Sequence, residues 1–165
     1  MTKLHQTQSQ HHADIALLLD HCFGPGRFAR TAERLREGNQ QIEAYARLYL
    51  QEDGQVGGSI SYWPIRIGVT PALLLGPLAV HPTLQSKGVG LTLMRETLEL
   101  IDYQRFKAVL LVGDLPYYQR VGFNVAGPAI HMPGPVDDQR LLVHVPDGQN
   151  AAQLAGMVRP APDLC

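Results

Sequence analysis

The sequence predicts an α/β protein built on a sheet of mixed strand direction. Three observations carry that prediction. Residues 14–23 place Ile15, Leu18, Leu19 and Cys22 on one face of a helix. Residues 72–81 are nearly all apolar, as a buried central strand should be. That strand runs through a short loop into a segment with a broad apolar face at helical spacing, so strand and helix alternate.

Taken in order, residues 1–13 are polar, rich in Gln and His, and read as a mobile tail. They lack the apolar core of a signal peptide. The helix over 14–23 meets a break at Gly24-Pro25-Gly26. Residues 27–36 read as a second helix that stops before Gly38. Residues 43–51 and 55–63 read as strands joined at Asp53-Gly54, a hairpin signal. Residues 64–71 read as a loop or short edge piece. The apolar strand 72–81 and the loop 82–87 come next.

A helix follows from Gly88 to about Tyr103, burying Val89, Leu91, Leu93, Met94, Leu98 and Ile101. Residues 107–112 form an apolar strand. Residues 116–121 form a short helix, with Pro116 in its first turn and Gly122 as its stop. Beyond Phe123 the pattern weakens, and residues 141–145 are the one clear strand.

A chain of 165 residues suits one domain with a single core, here taken as 1–165. A formal net charge of -1 gives no overall attraction to nucleic acid or to an anionic membrane. No apolar stretch approaches the roughly 20 residues needed to span a bilayer. Cys22 and Cys165 lie far apart with no CxxC pattern, which suggests neither a disulfide framework nor a zinc site. Two free thiols fit a reducing cytoplasm. No metal is expected.

The chemistry concentrates at Leu75-Gly76-Pro77-Leu78-Ala79-Val80-His81-Pro82 and, just after it, Gln85-Ser86-Lys87-Gly88-Val89-Gly90. A buried strand ends, and a loop delivers the chain to a helix N-terminus. Such an N-terminus presents unpaired N–H groups and partial positive charge. Glycines let a phosphate approach the backbone, and Lys87 adds a mobile charge, so the loop suits a diphosphate. The Walker pattern fails because Lys87 precedes Gly88. The Rossmann pattern fails because its third glycine is replaced by Leu93.

What fits is Gln/Arg-x-x-Gly-x-Gly/Ala. A second element follows one helix and one strand later: Gly113-Asp114-Leu115-Pro116-Tyr117-Tyr118-Gln119-Arg120-Val121-Gly122-Phe123. Together the two resemble the GNAT superfamily of N-acetyltransferases, closest to a bacterial subgroup of predicted N-acetyltransferases. The resemblance is specific over 75–123, looser over 13–63 and slight after Pro128.

The resemblance implies a GNAT fold: a mixed, mostly antiparallel sheet with splayed parallel strands and flanking helices. It implies acetyl-CoA as co-substrate. The diphosphate would lie on Gln85, Ser86, Lys87, Gly88, Val89 and Gly90. The pantetheine would lie in the wedge between strands 72–81 and 107–112, paired with the backbone of Leu78, Ala79 and Val80. An N–H near Val80 could polarise the thioester carbonyl. Tyr118 aligns with the family tyrosine that meets the departing sulfur, as a catalytic proton donor that also contacts the coenzyme. Its alternative is a satisfied surface hydroxyl. Tyr117 reads as a core tyrosine paired with Val121.

The implied acceptor is an amine on a small molecule or a protein. Dimers are common in the family. A rival reading keeps the fold and the acyl-CoA site but drops catalysis, leaving a sensor.

No general base stands out. His81 reads as a turn residue before Pro82, and Glu43 as a residue on an early strand that could face the cleft. His21, His131 and His144 read as ordinary polar residues, and Arg27, Arg30 and Arg34 as a solvated face. Gly57-Gly58-Ser59-Ile60-Ser61 misses the nucleophile elbow at Ser61.

Overall fold

The computed structural model describes residues 3–165. Among them are nine strands, β1 (Leu4–Gln6), β2 (Arg47–Leu50), β3 (Val56–Ile67), β4 (Thr70–Val80), β5 (Val109–Val112), β6 (Asn124–Val125), β7 (Ile130–His131), β8 (Leu141–His144) and β9 (Gly156–Pro160). Three α-helices, α1 (His12–Phe23), α2 (Val89–Leu100) and α3 (Leu115–Tyr118), are joined by short 3-10 turns. Every pairing whose register is described is antiparallel except β4 with β5 and β7 with β9. This is the mixed, mostly antiparallel sheet with flanking helices that the sequence implied.

The chain divides into two compact units. The first takes the residues up to Ala29, Ile42–Tyr62 and Gly76–Ile101. Its hairpin forms at the expected turn: Arg47 faces Ile60 and Tyr49 faces Gly58, with a bulge at Tyr49/Leu50. Gly54 takes φ 83, a left-handed turn conformation that glycine adopts without steric cost. Helix α1 turns Leu18 and Leu19 onto Leu48, Val56 and Ala79, with Ile15, Cys22, Phe23 and Leu50 at the margin. Helix α2 buries Val89, Leu91, Leu93, Met94 and Leu98, the face its periodicity predicts. The one polar side chain in that face, Thr97, meets the Tyr62 hydroxyl at 2.7 Å.

The second unit takes Arg30–Gln41, Trp63–Leu75 and Asp102–Cys165. Its core joins Leu35, Ile65, Ile67, Leu74, Leu110, Val143 and Val158. Here β4 and β5 run parallel, with Leu73 opposite Val109 and Leu74 opposite Leu110. The described parallel register ends there, while β4 runs on to Val80. On its other side β5 is fully paired with β8, from Val109↔His144 to Val112↔Leu141.

Several expectations are corrected. The polar tail contains a strand, since Leu4–Gln6 pairs with β2 and His5 faces Leu48. Backbone pairing needs no apolar side chains, so composition hid it. Residues 27–36 are not one helix but the 3-10 turns Pro25–Ala29 and Thr31–Leu35, with Arg30 extended between them at φ -71, ψ 145. Tertiary partners decide that shape: Thr31 Oγ1 donates to the Pro135 carbonyl and Arg34 to the Pro133 carbonyl, each at 2.6 Å. A helix this short has little intrinsic stability to set against them.

Residues 64–71 are a loop or edge piece only at the turn 68–69, since β3 runs to Ile67 and β4 starts at Thr70. Strand β3 continues through Pro64, whose carbonyl accepts from Asn39 Nδ2 at 2.8 Å and from the Ala161 N–H at 3.0 Å. Glu43 lies on the 3-10 turn Glu43–Tyr45, exposed, and not on a strand. Helix α2 ends at Leu100 because Ile101 turns extended at φ -68, ψ 131. After Phe123 the chain adds β6, β7 and β9, too short to show periodicity.

Candidate active site

Strand β4 delivers the chain to the glycine-rich loop in the first unit. Ala79 is 2% exposed and anchors the strand end in the core, while Leu78 and Val80 are half-buried. The His81 N–H donates to the Gly57 carbonyl at 2.8 Å, which ends β4 against β3. The His81 ring then caps the 3-10 turn Pro82–Leu84: its Nδ1 accepts from the Thr83 N–H and lies 2.8 Å from Thr83 Oγ1. His81 is therefore the turn residue its position before Pro82 suggested. It also stacks on His21, with centroids 5.2 Å apart and planes 2° apart.

Residues 85–88 are exposed, whereas Val89 and Gly90 are buried in the first turn of α2. Ser86 stands at φ 65 and Gly88 at φ 83, with Lys87 between them outside the left-handed region. Alternation of hand of this kind builds anion-binding concavities from backbone N–H groups; here the Lys87 N–H is taken by the Leu84 carbonyl at 3.2 Å, so the concavity rests on its neighbours. Gly88 is the N-cap of α2, and no side chain caps the helix. Its first N–H groups therefore have no intrahelical acceptor, and the helix dipole is positive there. A Cβ built at Gly88 meets nothing within 4 Å, so the space above the loop is open. Gln85 Nε2 reaches back to the Val80 carbonyl at 3.5 Å, and the Cys22 thiol approaches the same carbonyl at 3.5 Å.

Two glycines whose role the sequence reading missed hold this loop in place. A Cβ on Gly57 would stand 2.5 Å from Leu84 Cδ1, and one on Gly58 would stand 3.0 Å from Val89 Cγ1 and 3.2 Å from Leu93 Cδ1. The loop and the start of α2 thus lie directly on β3. The available signal was a Gly-Gly pair inside a strand, which marks close approach of other chain.

The second unit carries Tyr118. Asp114 precedes α3, Pro116 sits in its first turn, and Gly122 at φ 90 ends the 3-10 extension Gln119–Val121. Tyr118 is half-buried. Its ring meets the fully buried Phe123 edge-on at 6.0 Å and Tyr117 edge-on at 5.0 Å. A Cβ on Gly113 would collide with the Tyr118 ring. Burial pushes the Tyr118 phenol up to about 12, with Tyr117 and Asp114 adding to the effect and Arg140 opposing it. Tyr117 is half-buried, not a core residue, and burial raises its phenol against the pull of Arg120.

The other groups considered for acid–base work are dispersed. His131 is exposed on β7. His144 is half-buried on β8, with burial lowering its pKa against the Gly122 carbonyl and Asp147. Arg27 pairs with Asp20 at 3.0 Å, and Arg34 binds a backbone carbonyl, so the arginine row is not a free basic face. Among the described residues no group of His, Cys, Asp and Glu could hold a metal ion, and no helix is long and apolar enough to cross a membrane.

Known proteins supply the remaining comparison. The family model for the acetyltransferase (GNAT) domain matches residues 39–125, a span that contains both motifs. A GNAT family N-acetyltransferase from Escherichia coli, solved in complex with CoA, superposes with TM-score 0.76 at 22% identity, over 97% of this chain and 89% of that one. A GNAT family acetyltransferase from Brucella melitensis, solved in complex with acetyl-CoA, superposes with TM-score 0.61 at 26% identity, over 93% of this chain and 99% of that one. No curated protein matches the sequence. With the family model covering more than half of the chain, and the fold agreeing along nearly all of it, the protein belongs to the GNAT acetyltransferase family.

Proposed function

We propose that this acetyltransferase moves the acetyl group of acetyl-CoA to an amine of a small molecule or a protein, by direct attack of the amine on the thioester. The observation that carries the donor half is the 85–90 loop, with left-handed Ser86 and Gly88, exposed Lys87 and an uncapped α2. The diphosphate would lie on the N–H groups of Ser86, Gly88, Val89 and Gly90, with the side chains of Gln85 and Lys87 beside it. The backbone of Leu78, Ala79 and Val80 would take the pantetheine amides. The Val80 carbonyl accepts from the Cys22 thiol, a weak donor, and from Gln85 Nε2 at 3.5 Å, long for an N–H donor and able to give way to an amide N–H.

Tyr118 would meet the departing sulfur. A phenol near 12 stays protonated at neutral pH. Complete transfer of its proton to a thiolate of ordinary pKa near 8.5 would be uphill by about 5 kcal/mol. Tyr118 therefore acts as a hydrogen-bond donor to sulfur while the carbon–sulfur bond breaks; the acylated nitrogen releases a proton to solvent, and the free thiolate takes one from it. The attacking amine must be neutral; for a lysine-like amine, deprotonation at pH 7 costs roughly 4.6 kcal/mol. The near-neutral chain and its two free thiols support an acceptor met in the cytoplasm, with no part for nucleic acid or membrane and a homodimer as the assembly common in the family.

One observation favours a second reading. A tyrosine this weakly acidic also suits a protein that binds acyl-CoA without turning it over. A melting-temperature measurement with acetyl-CoA, followed by an amine-library screen for free thiol release, separates the two. Stabilisation with thiol release for some amine establishes the transferase; stabilisation with no acceptor favours the sensor. No stabilisation at all removes the coenzyme assignment.

A further inference from the structure

The side chains packed behind Tyr118 form a chain of rings ending on a histidine. Phe123, 0% exposed, meets Tyr118 at 6.0 Å with a 72° interplanar angle. Its other neighbour is His144, at 5.5 Å and 43°. His144 sits at the end of β8, locked opposite Val109 of β5, and a fourth ring, Tyr103, lies 6.0 Å from it. The His144 Nδ1 lies 3.3 Å from the Gly122 carbonyl. Gly122 is the left-handed residue that stops the Tyr118 helix and hands the chain to Phe123. A Cβ there would stand 3.0 Å from His144 Nδ1, so the imidazole and the turn are in direct contact.

We propose that His144 is a positioning residue for Tyr118, acting through the Gly122 turn and the Phe123 ring. The Nδ1–H donates to the Gly122 carbonyl and fixes where α3 ends. The tilted imidazole packs on Phe123, and Phe123 packs in a T-shape on Tyr118. Gly113 lies against the other side of the Tyr118 ring, with no room for a side chain between them. Burial keeps the imidazole neutral to lower pH and so leaves no charge against Phe123, while the Gly122 carbonyl accepts from Nδ1–H and favours the tautomer that carries it. Asp147 is the charged group that opposes this effect, and Tyr103 is the other titratable group against the ring.

The inference rests on Tyr118 being the residue that meets sulfur, but its test does not. In protein labelled at tyrosine, the nuclear Overhauser contact between the Tyr118 ring protons and the Gly113 Hα reports the ring's orientation, with Tyr118→Phe supplying the assignment. His144→Ala should weaken that contact several-fold while the acetyl-CoA melting shift persists. His144→Leu, which keeps apolar bulk on β8 but loses the Nδ1 donor and the flat ring, should weaken it in the same direction and decides the matter if His144→Ala does not fold. A variant that melts earlier yet keeps the Tyr118–Gly113 contact at full strength would overturn the proposal, because His144 would then be merely structural. Whether Tyr118 serves catalysis is read separately, from turnover of Tyr118→Phe.

Discussion

The ring of Tyr118 lies so close over Gly113 that no other residue type can occupy that position without displacing it. Gly113 follows β5, five positions before the tyrosine in sequence, and the chain folds back through Asp114 and α3 to bring the ring over it. The phenol is held from two sides, by Gly113 and by Phe123.

Gly113→Ala is the most economical test of that arrangement. The added methyl must push the ring aside, and overpacking of this kind costs about 1–3 kcal/mol. We expect a folded protein with a lower melting temperature, an unchanged acetyl-CoA shift, and turnover reduced toward that of Tyr118→Phe. Turnover equal to wild type in a folded Gly113→Ala would mean that the orientation of Tyr118 is irrelevant to the reaction.

At the glycine-rich loop, conformation and ligand space are separable. Gly88 has φ 83 and open surroundings, so a side chain there meets strain from the backbone alone. Gly88→Asn keeps a residue that tolerates the left-handed region and should fold, melting within about 1–2 kcal/mol of wild type in stability. Gly88→Glu should fold comparably but lose the acetyl-CoA melting shift, because it sets a carboxylate where the diphosphate would lie. Calorimetric titration with acetyl-CoA checks both, and retained affinity in Gly88→Glu would remove the diphosphate from this loop.

The His144 shift also predicts a pH dependence of stability. Its folded pKa is below the ordinary imidazole value of about 6.5, chiefly through burial. The unfolded chain therefore binds more protons in this window, and stability falls as pH drops from about 6.5 toward the folded value. Melting temperature should decline over that acid range in wild type and decline less in His144→Leu. Parallel curves for the two proteins would assign the acid sensitivity to other groups.

How much of this was legible beforehand varies with the kind of signal. Helices α1 and α2, the Asp53-Gly54 hairpin and β4 were readable because each carries a periodicity or a turn signal several residues long. The short strands β1, β6, β7 and β9 were not, because they are defined by partners distant in sequence and carry little pattern of their own. The 27–36 segment looked helical by composition and became two 3-10 turns because Pro133 and Pro135 offer carbonyls to Arg34 and Thr31.

The sequence by itself determined the family. Glycines at the start of α2, Lys87, and a tyrosine four residues before a Gly–Phe pair are local facts, and local spacing is enough to carry a resemblance to the family. Only the tertiary structure decided what holds those parts. It set Leu84 and Val89 on Gly57 and Gly58, raised the Tyr118 phenol to about 12, and ran a line of rings from His144 to Tyr118. Packing distance, burial and ring contact arise between residues far apart in the chain, and they exist only once the strands that carry them are in register.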